Sequence, residues 1–225
     1  MTTETVTTIK IMKEDLLEPL KIVSGVIESS QVIQILSFVR IIGEGNQLKL
    51  MTSNSEVQLE AKANIAGDLN ESIDFAVPCK KLLNIARNIS NDVLLTLVYD
   101  DQWLTVKTES SSFQLATLPS SQFPEFNAFV ADCEHNLPEE SLKLLIEKTS
   151  FSMAQQDVRF FLNGLLLQSS DQGLEAVATD GHRMAFGCLS DIKGDQIKAI
   201  VPRKTIFELL RLLSDSDKTL SIGMN

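Results

Sequence analysis

Residues 177–185, VATDGHRMA, place a carboxylate (Asp180), an imidazole (His182) and a guanidinium (Arg183) within four consecutive positions. Those side chains do acid–base or nucleophilic chemistry only when a nucleophile or a metal stands beside the base. The sequence offers neither at ligand spacing around His182. Asp180 ahead of Gly181 also fits a side chain that caps its own turn. Glycine at 181 permits a tight turn and the close approach of a second backbone. The enzymatic reading therefore needs a further group, and the turn reading needs nothing more.

Other reactive residues add little. Cys79, Cys133 and Cys188 lie far apart, with no CxxC and no His–Cys ligand spacing. That argues against zinc and against a disulfide framework, and leaves buried or idle thiols in a reducing cytoplasm. No metal and no cofactor are expected. The first residues, MTTETVTTIKIMKED, lack the apolar stretch of a secretory signal. No apolar run approaches the roughly 20 residues that span a bilayer, so no membrane partner and a cytoplasmic location are expected. The formal net charge is −10, which speaks against phosphate contacts unless positive charge is gathered on one surface.

The elements that would hold these residues come in two copies. A shift of 126 positions aligns Glu14 with Glu140, Leu16 with Leu142, Leu20 with Ile146, Ser24 with Ser150, Leu36 with Leu162 and Leu48 with Leu174. MTSN (51–54) falls on VATD (177–180). At an offset of 124, AVPCKKLLNIAR (76–87) falls on IVPRKTIFELLR (200–211). A repeat of this length implies two copies of one domain. Copy one continues past its second helix with VLLTLVYDDQWLTVKTESSSFQLATLP, whereas copy two reaches TLSIGMN. The expectation is a second domain truncated before its final strands.

Apolar periodicity predicts helices in KEDLLEPLKIVSGVIES, PCKKLLNIARNIS, PEESLKLLIEKTSFSM and PRKTIFELLRLLSD. Pro19 predicts a kink or a late start in the first. Pro78 is expected at the first helical position of the second, where Leu82, Leu83, Ile85, Ala86 and Ile89 form one stripe. Strands are predicted over 48–59, 93–98, 103–107 and 113–117, with hairpin turns at 99–103 and 169–173. Each copy reads helix, strands, helix, strands, an antiparallel α+β domain. The basic residues gather on two equivalent helices: Lys80, Lys81 and Arg87 with no acid, and Arg203, Lys204 and Arg211 against Glu208. One such helix is ordinarily a solvated face. Its recurrence in both copies suits a surface that tracks a phosphate backbone without reading bases.

DVRFFLNGLLL, VATDGHRMA and IVPRK, with LATLPSSQFPEF at the junction, closely resemble the bacterial DNA polymerase III β subunit family, the sliding clamps. The resemblance covers the whole chain. It implies an α+β DNA-clamp fold of repeated domains, each with antiparallel sheets outside and two helices on the inner, lumenal face. The first domain is expected over 1–128 and the second over 129–225, with a third absent. It further implies a non-catalytic processivity factor, a head-to-tail homodimeric ring around double-stranded DNA. Polymerase, clamp loader and repair proteins would dock through short peptide motifs. The alternative is a stand-alone clamp-derived peptide-binding module that does not encircle DNA.

Matched residue by residue, the peptide cleft is Leu162, Thr179, Gly181, His182, Arg183 and Met184. DNA contact falls to Lys80, Lys81, Arg87, Gln156, Phe160, Phe161, Arg203, Lys204 and Arg211. The subunit interface falls to Phe113 and Leu115, on an apolar edge strand that is an aggregation hazard without its partner. The family often has tyrosines where Phe160 and Phe161 stand, and a phenylalanine is ordinarily core. It usually has Leu at Met184. It typically carries an Arg and prolines where this chain has Ser30, Gln31 and Gln34, which weakens the expected DNA grip of the first domain.

Overall fold

The computed structural model describes residues 6–28, 33–54, 56–124 and 129–225. Ser30 and Gln31 lie outside the described residues. The chain forms two compact units, Met1–Glu125 and Phe126–Asn225.

Unit 1 runs β1 (Thr7–Met12), α1 (Lys13–Val23), β2 (Phe38–Glu44), β3 (Gln47–Ser53), β4 (Gln58–Asn64), β5 (Ile73–Pro78), α2 (Cys79–Asn88), β6 (Leu94–Tyr99), β7 (Trp103–Lys107), β8 (Ser112–Ala116) and β9 (Leu118–Pro119). Its two antiparallel sheets have the orders β4-β3-β2-β5-β9 and β1-β6-β7-β8. The alternation of Ile9 and Ile11 with polar neighbours turns one face of β1 inward. Those residues pack with Leu16, Leu20 and Val23 of α1, Leu82, Leu83 and Ala86 of α2, and Leu50, Phe75, Leu97 and Leu104 from the sheets. Burying each such side chain contributes about 1.5–3 kcal/mol. Because Leu82, Leu83 and Ala86 hold α2 to the sheets, Lys80, Lys81 and Arg87 stand on its solvent side.

Unit 2 runs β10 (Cys133–Pro138), α3 (Glu139–Ser150), β11 (Gly164–Ser170), β12 (Gly173–Thr179), β13 (Met184–Leu189), β14 (Ile197–Pro202), α4 (Arg203–Leu212) and β15 (Thr219–Met224). Its sheets, β13-β12-β11-β14 and β10-β15, repeat the order and pairing of their counterparts in unit 1. The correspondence reaches single residues. β1, β2 and β3 map onto β10, β11 and β12 at the 126 offset, and β5 and α2 map onto β14 and α4 at 124.

One difference is large. In unit 1, Leu104, Val106 and Leu115 of β7 and β8 complete the core. In unit 2, β15 pairs with β10 alone among the described residues. Val201, Leu209, Leu220 and Ile222 stay half-buried there, beside a hollow of about 400 Å³ that Leu142, Leu167 and Met224 also line.

Four expectations need correcting. The run 48–59 is two strands, β3 and β4, because the Asn54 carboxamide oxygen accepts the Glu56 and Val57 amides and turns the chain. A strand precedes the first helix of each copy: β1 and β10 alternate with period two and pair antiparallel with β6 and β15. Helix α1 starts at Lys13 and not late, continuing through a buried Pro19 to Val23, with one ladder bond to Asp15 forgone for burial of the ring. Pro78, Pro138 and Pro202 end strands and precede the first helical residue, since their ψ values of 108°, 142° and 145° are still extended. The hairpin turns stand as expected, with Asp101 at φ 65° and Gly173 at φ 136°.

Leu82 is fully buried. Leu82→Ala is expected to cost about 2–5 kcal/mol, read as a lower urea midpoint with an unchanged slope.

Candidate functional site

The TDGHR residues form the turn between β12 and β13 of unit 2. Asp180 Oδ1 accepts the amides of His182 (3.0 Å) and Arg183 (2.9 Å). Its other oxygen accepts Arg183 Nε at 3.0 Å. Thr179 Oγ1 donates to the Arg183 carbonyl and accepts the Gly181 amide. Asn54 makes the matching pair of bonds in unit 1, so the turn belongs to the repeat and Asp180 is its structural cap. Gly181 has φ 88°, a left-handed conformation that favours glycine. The two amide bonds and the nearby guanidinium hold the Asp180 carboxyl below its ordinary range.

The segment between α3 and β11 lies against this turn. Asp157 binds Arg159 through its amide, Nε and a terminal nitrogen, at 2.8, 3.0 and 2.9 Å. That hydrogen bonding holds the Asp157 carboxyl down at about 2. Asn163 closes the segment with bonds to the amide and carbonyl of Asp157. The Arg159 guanidinium then sits over Gly181, where an added Cβ would lie 3.2 Å from it. Arg183 donates to the Phe151 carbonyl at 2.9 Å and lies 5.7 Å from the Phe151 ring centre. Leu162 is buried, and its carbonyl accepts the Ala154 amide.

Leu162, Thr179, Gly181, His182, Arg183 and Met184 are thus all carried by one turn and the segment packed against it. His182 and Arg183 are exposed, and Met184 is 69% exposed. Met184 stands at the start of β13, where every second residue faces solvent. The ladder places Phe186 opposite Val177, Val177 opposite Leu166 and Leu166 opposite Ile200. An apolar row therefore crosses all four strands, with Phe186 and Ile200 at least half exposed. This row was not foreseen, although the alternation Met184, Phe186, Cys188 signals it. Asp157, Arg159 and Asn163, which brace the turn, also escaped notice. Their D-x-R-x-x-x-N spacing becomes meaningful only when the segment curls on itself.

Phe160 and Phe161 are not core. They are 82% and 50% exposed, with ring centres 6.0 Å apart in an edge-to-face pair. They lie on a short 3₁₀ turn that cannot bury two adjacent rings on one side. Gln156 is exposed with φ 58°. On α2, Lys81 and Arg87 are exposed, and Lys80 donates to the Glu28 carbonyl at 3.3 Å. On α4 the charge is more engaged. Arg203 donates to the Met153 carbonyl and stacks 4.8 Å from Phe207, Arg211 pairs with Glu208 at 2.8 Å, and Lys204 is half-buried. Gln34 is exposed. On the edge strand β8, Phe113 is 39% exposed but Leu115 is buried in the core of unit 1. Of the two, Phe113 offers apolar side-chain surface, whereas Leu115 faces Leu104 across the ladder.

No group of three or more metal-ligating side chains occurs among the described residues. No described helix is long and apolar enough to cross a membrane.

Repeated domains of two helices under antiparallel sheets, with a braced turn on one of them, define a clamp-type protein. Residues 7–127 match the DNA polymerase III β subunit N-terminal domain, and residues 136–225 match its central domain. The chain belongs to the DNA polymerase III β subunit family. It is 42% identical over 214 residues to a β sliding clamp of Pseudomonas putida, covering 94% of this chain and 58% of that protein. It is 34% identical to the Escherichia coli β sliding clamp over 220 residues, covering 96% and 59%. A crystal structure of a Pseudomonas aeruginosa sliding clamp bound to griselimycin matches 98% of this chain and 60% of that one, with TM-score 0.91 and 39% identity. The chain thus spans about three-fifths of the length of the relatives it matches.

Both lowered carboxylates stabilise the folded turn above the unfolded pKa of about 3.9, and that stabilisation is lost as pH falls through the folded value. Carboxyl-carbon NMR is expected to show Asp157 titrating near 2. The His182 and Arg183 amide signals are expected to move with Asp180. Ordinary titration of both carboxyls would contradict the bracing described.

Proposed function

We propose that this chain is part of a sliding-clamp subunit, a non-catalytic processivity factor of the replicative DNA polymerase. In this reading the subunit closes as a homodimeric ring around double-stranded DNA without reading its sequence. The clamp loader, polymerase and repair proteins dock short peptides on the TDGHRM face. The working compartment is the cytoplasm.

The observation that carries the DNA half is the recurrence of one helix. α2 and α4 follow equivalent strands, start after equivalent prolines and carry basic residues beside an apolar stripe, those of α2 turned outward. In a chain of charge −10, two such helices at equivalent positions suit phosphates better than chance surface charge. Lys80, Lys81 and Arg87 offer the less engaged set. Arg203, Lys204 and Arg211 add to it, with Gln156, Phe160 and Phe161 as further contacts. The peptide half is supported by Met184 beside the Phe186–Ile200 row, an exposed apolar face on a rigid sheet. Leu162 floors it, and His182 and Arg183 bring polar tips on apolar stems. Methionine, unbranched and polarizable, suits varied partners. The edge of β8, with Phe113 presented and Leu115 anchoring the strand, serves the subunit interface.

Two experiments on the full-length protein separate the halves. Lys80→Glu with Lys81→Glu is expected to shorten retention on circular DNA several-fold. It is also expected to reduce the slope of log affinity against log salt by about 0.9 per lost phosphate contact, leaving peptide affinity unchanged. Unaltered retention would remove α2 from the DNA surface. Met184→Asp is expected to weaken partner peptides about tenfold or more, since a carboxylate would be buried against apolar groups. Equal affinity by calorimetry would remove Met184 from the peptide face.

A further inference from the structure

Away from that face, unit 2 contains a buried cluster of reactive side chains. Cys133 and His135 alternate on β10 and both point inward. Cys133 Sγ lies 3.2 Å from His135 Nε2, which lies 2.7 Å from Ser169 Oγ on β11. The three residues are 8%, 4% and 0% exposed. The segment 190–196 covers them, its Gly194 amide bonded to the Ser170 carbonyl at 3.1 Å. A Cβ on residue 194 would collide with the His135 ring and lie 2.9 Å from Ser169 Oγ and 3.0 Å from Cys133 Sγ. Glycine alone lets the cover close.

The fold does not demand this cluster. At the 126 offset, unit 1 has Thr7, Ile9 and Gly43 in place of Cys133, His135 and Ser169. There Ile9 is 1% exposed, and Gly43 backs onto Leu69 and Ile73. A corner of threonine, isoleucine and glycine therefore suffices, and unit 2 has in its place a thiol, an imidazole and a hydroxyl in hydrogen-bonding contact. Burying such polar groups costs free energy unless they are hydrogen-bonded, and here the three bond one another.

We propose that Cys133 is a thiol-modification site that reacts with hydroperoxides, with His135 as its proton acceptor and Gly194 as its cover. The thiolate is the nucleophile, and His135 Nε2 is placed to take the thiol proton. When the cover opens, the thiolate attacks the terminal peroxide oxygen. An S–O bond forms, the O–O bond breaks, and the leaving hydroxide or alkoxide takes the proton from the imidazolium and departs as water or alcohol. Sulfur is oxidised to the sulfenic acid, and the peroxide is reduced. The added oxygen has no room under Gly194, so segment 190–196 must lift. This site is independent of the DNA and peptide surfaces proposed above.

The chain carries its own comparators. Cys79 is fully buried, and burial pushes its thiol up to about 12. Cys188 is exposed. The full-length protein would be treated with hydrogen peroxide, trapped with dimedone and mapped by mass spectrometry. Cys133 is expected to form the sulfenic acid at least as fast as Cys188, with Cys79 unmodified. This wild-type comparison is decisive without any variant, and a Cys133 as inert as Cys79 would overturn the proposal. His135→Ile, which borrows the residue of unit 1, is expected to slow Cys133 tenfold or more and leave Cys188 unchanged. Gly194→Ala is expected to speed Cys133 by holding the cover open. An unchanged Cys133 rate in His135→Ile would exclude the imidazole as proton acceptor and overturn the assignment.

Discussion

Each unit depends on burying one stripe of two amphipathic helices beneath antiparallel sheets. That burial sets the charge pattern of the chain. Once Leu82, Leu83 and Ala86 face the sheet, the geometry of a 3.6-residue turn leaves Lys80, Lys81 and Arg87 no direction but outward. On α4 the buried Ile206 leaves Arg211 exposed, while Arg203 and Lys204 stay half-buried against the unit. A protein of net charge −10 can thus carry basic helices without charge repulsion deciding their place. Hydrophobic burial decides it.

The second constraint is the turn after the third strand of each repeat. A short polar side chain, Asn54 or Asp180, accepts two successive amides and reverses the chain. In unit 2 this common turn has acquired additional bracing. Arg183 reaches back to Phe151, while Arg159, clamped by Asp157, lies over Gly181. Two of the residues that looked catalytic are engaged in these bonds: Asp180 accepts two amides and a guanidinium, and Arg183 donates to Asp180 and Phe151. What remains exposed is apolar surface, Met184 and Phe186, with the polar tips of His182 and Arg183.

Comparison of the two units separates fold from specialisation. Where both agree, as in strand order, the proline before the second helix (Pro78 and Pro202) and the capped turn, the feature is architectural. Where they differ, one unit has something the fold does not need. The exposed Phe160–Phe161 pair, the Met184–Phe186 face and the Cys133–His135–Ser169 cluster are all differences of this second kind.

Much of this was legible in the residue order, because the repeat doubles every signal. The helices, the hairpin turns, the capping role of Asp180 and the basic helices follow from local periodicity and side-chain chemistry, which act over a few residues. The strand before each first helix was missed because its alternation is short and one face becomes apolar core only on pairing. The join of β3 and β4 was missed because an Asn cap breaks an otherwise continuous run without Gly or Pro. Tertiary structure alone decided three matters. It placed Arg159 over Gly181, carried Leu115 into the core, and brought Ser169 and Gly194 onto the Cys133–His135 pair. Each is a contact between segments far apart in the chain, whose geometry is set by sheet register and packing rather than by any local preference.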